Sequence, residues 1–356
     1  PSGVSPPVMR MRMFFSFVRK AENRTLAHGT RVDIIPGKGK SKTRIPYGIL
    51  PLRGRWLTKE PLDNRMQAPA YSGTPLSLQR SVSSMPEKVP AILLIAYGSC
   101  NAVGLAALRR FEERVRMRFP GRTVRWAYTS EHIRTRLASQ VRAKSDSVTK
   151  ALNRLILERF CPIAAQPLQI VPATENAQVE KLAAAVAGES GVPISVGTPL
   201  LTTEKDMRDC VRAVFSMIPP ERKAGESVVL MGHGTRYTRA QERYDRLSAM
   251  LSAEDSAVHL ATMSGDVTIE DIMPLLSSRR VWLLPFLSSV GRHTTVDMAG
   301  TQMKSWKSQI EAVGHECVPV IAGAIENENF ADIWLEHLEE AAARIDVFPT
   351  PPVQKS

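Results

Sequence analysis

From residue 91 onward the chain alternates short, almost wholly apolar runs with longer stretches in which apolar residues return every three or four positions. Runs of the first kind read as strands buried on both faces, stretches of the second as helices with one inward stripe. The pattern predicts strands over 91–99, 123–128, 163–171 and 194–196. After a Pro- and charge-rich break at 219–226 it predicts four more, over 228–232, 258–263, 281–287 and 316–321. The first expected helix carries Leu105, Leu108, Phe111, Val115 and Phe119; a second is marked by Ile133, Leu137 and Val141, and a third runs to about Phe160. Further helices are expected over 176–187, with Gly188 as the stop, over 203–218, and around Tyr244, Leu247 and Leu251. Thr268-Ile269-Glu270-Asp271 reads as the capped start of a helix carrying Ile272, Leu275 and Leu276. Another lies near Trp306, Ile310 and Val313, and a long final one turns Phe330, Ile333, Trp334, Leu338 and Ala341 inward. This alternation implies an α/β fold of two Rossmann-like, parallel-sheet halves, 90–222 and 223–346, with a cleft between them and a tail at 347–356.

One strand stands out because it stops at Gly232-His233-Gly234-Thr235. The C-terminal edge of an open parallel sheet is where ligands bind, and the glycines let the backbone turn sharply beside the ring. Taken alone, a strand-end histidine is open to a structural or a functional reading. An internal repeat adds to it: 94–99 aligns with 230–235, placing Tyr97 opposite His233, and 166–169 aligns with 284–287. Continued through the loops, that register sets Glu175 opposite His293. The cleft would thus receive Tyr97 and Glu175 from one side, His233 and His293 from the other.

Composition changes the picture mainly by what it excludes. The formal charge is +12, but residues 1–90 hold 16 Lys and Arg against 5 Asp and Glu, and the remainder 31 against 30. The basic character belongs to a Pro-, Gly- and Ser-rich leader at 1–89 and says little about the folded part, so no nucleic-acid partner is expected. That leader buries too little to offset the entropy of ordering and is expected to be mostly disordered, either a dispensable extension or a basic tethering or targeting arm. No apolar run approaches the roughly 20 residues of a membrane helix, no secretory signal is read, and no membrane partner is expected. Cys100, Cys161, Cys210 and Cys317 are scattered, as reduced thiols of a cytoplasmic protein would be.

Two facing neutral imidazoles can hold a borderline dication such as Co²⁺, Ni²⁺, Fe²⁺ or Zn²⁺, and either can take up a proton near neutral pH. With a carboxylate nearby, that set permits metal insertion into a tetrapyrrole, where two pyrrole protons leave as the ion enters. His132, His259, His315 and His337 fall inside expected helices or strands and read as structural; His28 lies in the leader. The glycine turns lack a Gly-x-Gly-x-x-Gly spacing and no Walker pattern occurs, so no nucleotide is expected.

The segments Ala96-Tyr97-Gly98-Ser99, Trp126-Ala127-Tyr128-Thr129-Ser130, Gly197-Thr198-Pro199-Leu200-Leu201, Gly232-His233-Gly234-Thr235, Val290-Gly291-Arg292-His293 with Asp297-Met298-Ala299-Gly300, and Ser305-Trp306-Lys307 carry a family resemblance. In order and spacing, over residues 90 to 345, they resemble the anaerobic sirohydrochlorin cobalt chelatases of the cobalamin pathway, relatives of the class II chelatases that include ferrochelatase. The resemblance implies an ATP-independent lyase that inserts Co²⁺ into sirohydrochlorin, with His233 and His293 as metal ligands and proton acceptors. Iron or nickel insertion is the alternative within the class.

Two positions depart from the family. Ser264 stands where the family has a metal-ligating Glu, and Gln169 where relatives often have His. Asp266, two residues on, or Glu175 across the cleft would then supply a third ligand or base. The other reading of Ser264 is a non-catalytic homologue that binds metal or tetrapyrrole without turnover. Sirohydrochlorin carries a ring of carboxylates, so Arg236, Arg239 and Arg292 are candidate substrate contacts, with Tyr97, Ser99, Tyr128 and Glu326. Whether identical copies assemble is left open by the sequence.

Overall fold

A computed structural model describes residues 89–140 and 145–346; the leader assigned to 1–89, save its last residue, the tail 347–356 and Val141 lie outside the described residues. Among the described residues eight strands form two four-stranded sheets with every pairing parallel. The first holds β1 (Ala91–Ala96), β2 (Thr123–Tyr128), β3 (Ile163–Pro167) and β4 (Ile194–Val196) in the order β2-β1-β3-β4. The second holds β5 (Ser227–Gly232), β6 (Val258–Thr262), β7 (Arg280–Phe286) and β8 (Glu316–Pro319) in the order β6-β5-β7-β8. A parallel pair needs a crossover, and the helical stretches between the apolar runs supply them.

The two sheets repeat each other residue by residue. Leu94 stands between Trp126 and Gln166, and Leu230 between Leu260 and Leu284. One step further, Ile95 pairs with Pro167 and Met231 with Pro285. This is the register of the sequence repeat. Along β1 and β5 the two-residue period sends Ile92, Leu94, Val228 and Leu230 into one shared core, while Leu93, Ile95, Val229 and Met231 face helices on the outer sides.

The shared core is filled by α1 (Ala102–Arg118), α5 (Glu204–Met217), α6 (Thr238–Glu254) and α9 (Glu328–Asp346). Phe111 of α1 meets Trp334 of α9 edge to face at 6.5 Å, and Phe286 of β7 lies between Tyr244 and Phe330. On the outer sides, α3 (Val148–Leu157) and α4 (Thr174–Ser190) cover the first sheet, while α7 (Ile269–Ile272) and α8 (Trp306–Ala312) cover the second. The remaining helix, α2 (Glu131–Gln140), buries only Leu137.

Several expected boundaries move. The helix expected to stop at Gly188 continues to Ser190, and Gly191, at φ 68°, makes the left-handed cap. Beyond Pro167 the chain leaves the ladder, because the carbonyls of Gln169 and Ile170 accept from Leu200 and Leu201 of a loop. The helix begun at Thr268 lasts one turn before Pro274 tightens it into a 3-10 turn over Met273–Leu275, which leaves Leu275 exposed. Helix α9 follows the second sheet in sequence, yet it packs on β3, β4 and α5 of the first. His337 and Arg344 fix that crossing: the His337 ring reaches the carbonyl of Thr198, and Arg344 donates to Ser195 and the carbonyl of Val196.

Candidate active site

Strand β5 delivers His233 to the open end of the second sheet. Gly234 holds φ at 78°, and a Cβ there would come within 2.8 Å of backbone atoms of Ser264 and Gly265. The turn is therefore pressed against the loop after β6, which a glycine alone permits. Two contacts fix it. The Ser264 hydroxyl donates to the carbonyl of His233 at 2.9 Å. Beneath, the ring of buried Tyr244 packs against the strand end, its Cε1 3.0 Å from where a Cβ on Gly232 would lie, and burial pushes its hydroxyl well above the ordinary phenol range while the Gly234 backbone opposes the shift. The His233 ring stays exposed, with Nδ1 3.2 Å from the carbonyl of Gly234.

His293 opens a π-helix over His293–Met298, an element with no counterpart in the sequence pattern. The amide of Ala299 reaches back to the carbonyl of Thr294, five residues earlier, and such wide turns are frequent at functional sites. The winding brings Asp297 beside the ring, with Nδ1 2.7 Å from its Oδ2. A carbonyl and a carboxylate only accept, so Nδ1 of each ring is the donor and Nε2 is left without a hydrogen-bond partner among the described residues. The two rings stand edge to face, 77° between planes, with centroids 5.3 Å apart.

The other expected residues divide. Tyr97 and Arg236 are exposed at the ends of β1 and β5, Arg239 is exposed in the first turn of α6, and exposed Arg292 lies 3.9 Å from Asp297. Glu175, in the first turn of α4, accepts from the Thr129 hydroxyl. Asp266 is exposed in a loop closed by the Thr262 amide on the carbonyl of Val267. Among the described residues no group of three His, Cys, Asp or Glu side chains could hold a metal, so neither acid joins the imidazoles as a third ligand. Ser264 is occupied with the backbone of His233.

Three candidate substrate contacts are committed elsewhere. Ser99 is 1 % exposed and donates to the carbonyl of Val290 at 2.7 Å. Glu326 pairs with Arg110 at 2.9 Å and accepts the amide of Gly323. Tyr128 stacks on Trp126 at 6.0 Å; burial, with Glu112 and against Arg109, raises its hydroxyl to about 12. Both amide atoms of Gln169 are buried without partners. His132 is exposed on α2, His259 is half-buried in β6, His315 reaches the carbonyl of Ser278, and His337 is tied to Thr198 and Asp206. Asp297, quoted in the sequence only as part of a motif and given no role, joins the site, as does Tyr244 beneath it. The four-residue spacing of His293 and Asp297 was a readable signal for the first; nothing local points to the second.

Residues 90–343 match the model of the family described as cobalt chelatase (CbiK). The chain is 45 % identical over 266 residues to a protein of Nitratidesulfovibrio vulgaris named sirohydrochlorin cobaltochelatase CbiKC, covering 74 % of this chain and 94 % of that one. It is 25 % identical over 225 residues to the sirohydrochlorin cobaltochelatase of Salmonella typhimurium, with coverages of 62 % and 84 %. Among solved structures, SirB from Bacillus subtilis with Fe³⁺ is similar in fold at a TM-score of 0.52 and 14 % identity, covering 74 % of this chain and 99 % of that one.

Proposed function

The chain belongs to the cobalt chelatase (CbiK) family, and from that premise we propose that it inserts Co²⁺ into sirohydrochlorin, with His233 and His293 holding the ion and taking the pyrrole protons. The observation that carries the reading is the facing imidazole pair, each ring offering Nε2 from the end of a different strand connection.

The chemistry requires an ion to be captured, presented and released. Two neutral imidazoles suit all three steps, because they bind borderline dications yet add no charge that would keep the ion from leaving for the macrocycle. Insertion breaks two pyrrole N–H bonds as the metal–nitrogen bonds form. Once the ion has moved on, the vacated Nε2 atoms accept those protons and pass them to water, since imidazole exchanges protons near neutral pH. Asp297 supports one of the two acceptors, because its carboxylate stabilises the imidazolium that forms on His293. Tyr97 offers an exposed ring to the macrocycle, and Arg236, Arg239 and Arg292 are the cations for its carboxylates. No step uses a nucleotide.

The test is direct. Purified protein is incubated with sirohydrochlorin and Co²⁺, Fe²⁺ or Ni²⁺ in separate reactions without nucleotide, and the tetrapyrrole absorption is followed. Acceleration with Co²⁺ above the spontaneous rate supports the proposal; a faster reaction with Fe²⁺ or Ni²⁺ reassigns the metal. Binding without acceleration by any ion would sink the enzyme reading.

A further inference from the structure

The geometry points to Ser99 as a positioning residue for His293, acting from the opposite half of the molecule through the carbonyl of Val290. This assignment rests on the proposed function above and deepens it, for it names what holds one of the two imidazoles in place.

Ser99 follows β1, on the sheet that supplies neither histidine. Its hydroxyl donates to Val290 O at 2.7 Å across 191 positions of sequence, and Ser99 Oγ itself accepts the amide of Asn101 at 3.0 Å. Asn101 in turn caps α1, its side chain accepting from the amides of Val103 and Gly104. The hydroxyl is thereby aimed by the first turn of a 17-residue helix. Gly104 completes the contact: a Cβ at that position would lie 2.2 Å from Val290 O and 2.6 Å from Ser99 Oγ. Helix backbone and loop backbone meet with no side chain between them.

The loop so gripped leads directly to the site. On its other flank the amides of Ala324 and Ile325 donate to the carbonyls of Leu287 and Ser288, and a Cβ on Gly323 would lie 2.5 Å from the Cα of Ser289. Residues 287–290 are held from both halves. His293 follows Val290 by three residues, and the amide and hydroxyl of Thr295 both return to the carbonyl of Gly291. The backbone thus passes from the Ser99 anchor into the π-helix with little freedom. His233 has its own anchor, Ser264, in the second half. The separation of the two rings therefore depends on a contact made by the sheet that carries neither of them. A reacting group displaced by as little as 1 Å can cost about 10²-fold in rate, so such an anchor acts on chemistry as well as on stability.

The experiment compares Ser99→Ala, Ser99→Thr and Gly104→Ala with the unaltered chain. Three quantities are read: Co²⁺ affinity by titration of the visible cobalt bands, kcat and KM for insertion, and the thermal midpoint. Ser99→Ala is expected to weaken Co²⁺ binding about ten- to hundred-fold, the range for groups that orient metal ligands. It should lower kcat with KM for the tetrapyrrole unchanged, and Ser99→Thr, which keeps the hydroxyl, should recover most of the loss. Gly104→Ala, which pushes on the same carbonyl from the helix side, is expected to repeat the Co²⁺ defect and gives the answer if Ser99→Ala does not fold. A lowered thermal midpoint with unchanged Co²⁺ affinity and kcat would overturn the assignment and leave Ser99 as a stitch between the halves. If the unaltered chain bound no Co²⁺, the proposed function itself would fail, a result distinct from equal affinities in chain and variant.

Discussion

His233 and His293 meet edge to face with ring centroids 5.3 Å apart, although 60 residues and two different sheet-end connections separate them in the chain. Each is held through Nδ1, so Nε2 is the nitrogen each ring leaves without a hydrogen-bond partner among the described residues. Replacing either by Ala is expected to abolish high-affinity Co²⁺ binding and slow insertion about 10²–10⁴-fold, the contribution of a positioned proton acceptor. Both rings are partly or fully exposed, so the thermal midpoint should hardly change. Cobalt titration and initial rates on the folded variants check this; full activity in either single variant contradicts it.

Asp297 engages Nδ1 of His293 and so leaves Nε2 as the nitrogen open to a ligand. Asp297→Ala is expected to free the ring and reduce Co²⁺ affinity about 10–100-fold. Asp297→Asn keeps an acceptor for the Nδ1 proton and should fall between the two. Calorimetric titration of the three proteins with Co²⁺ gives the order, and equal affinities would remove Asp297 from the site.

How far the site and the fold are legible in the sequence differs from residue to residue. The strand cores were legible because parallel strands buried on both faces need unbroken apolar runs, and the repeat was legible because Leu94 with Gln166 and Leu230 with Leu284 occupy equivalent ladder positions. That equivalence pointed to His293 as the partner of His233. The path of α9 was hidden, since its apolar stripe says that one face is buried but not against which sheet. The burial of Ser99 was hidden for a similar reason: a Ser after a strand-end glycine suits a ligand turn, and only the approach of Val290 turns it inward. The π-helix leaves no periodic trace over six residues. Its wide turn follows from tertiary packing.

Ser264 lies beside His233 with its side chain exposed, so the position has room for a longer group. Ser264→Glu is expected to place a carboxylate next to two neutral imidazoles and tighten Co²⁺ binding about ten-fold, equivalent to about 1.4 kcal/mol, an ordinary partly screened charge interaction. If ion release limits turnover, kcat will fall as affinity rises, whereas a rise in both would mark the native pair as short of a ligand. Parallel binding and rate measurements separate these, and an unchanged affinity would show that the loop does not address the ion.

Gly234 has no tolerance for a side chain. Its φ of 78° is costly for other residues, by about 1–2 kcal/mol, and an added Cβ would also strike Gly265 N at 2.8 Å and Thr262 Cβ at 2.9 Å. Gly234→Ala should therefore shift the His233 turn away from the loop after β6 and weaken Co²⁺ binding at least ten-fold. Stability should fall by more than the dihedral cost alone. Denaturant titration and cobalt titration on one preparation test the two effects, and a variant that loses stability while binding Co²⁺ normally would show that the turn relaxes without moving the ring.

His337 on α9 and Asp206 on α5 form a buried pair at 3.2 Å, each side chain 4 % exposed. Burial acts to raise the Asp206 carboxyl, but the His337 ring and the amide of Thr203 outweigh it and hold the group below its ordinary value. A carboxyl depressed in the folded state binds fewer protons there than in the unfolded chain. Its contribution is complete above the ordinary carboxylate range and is lost as pH falls below about 4 through the folded value. Asp206→Asn should thus flatten the acid limb of the stability profile. At neutral pH it should cost about 1–3 kcal/mol, the range for disrupting a buried hydrogen-bonded partner. Urea titrations from pH 2.5 to 7 measure both. An acid limb as steep in Asp206→Asn as in the unaltered chain would assign the loss to other carboxylates.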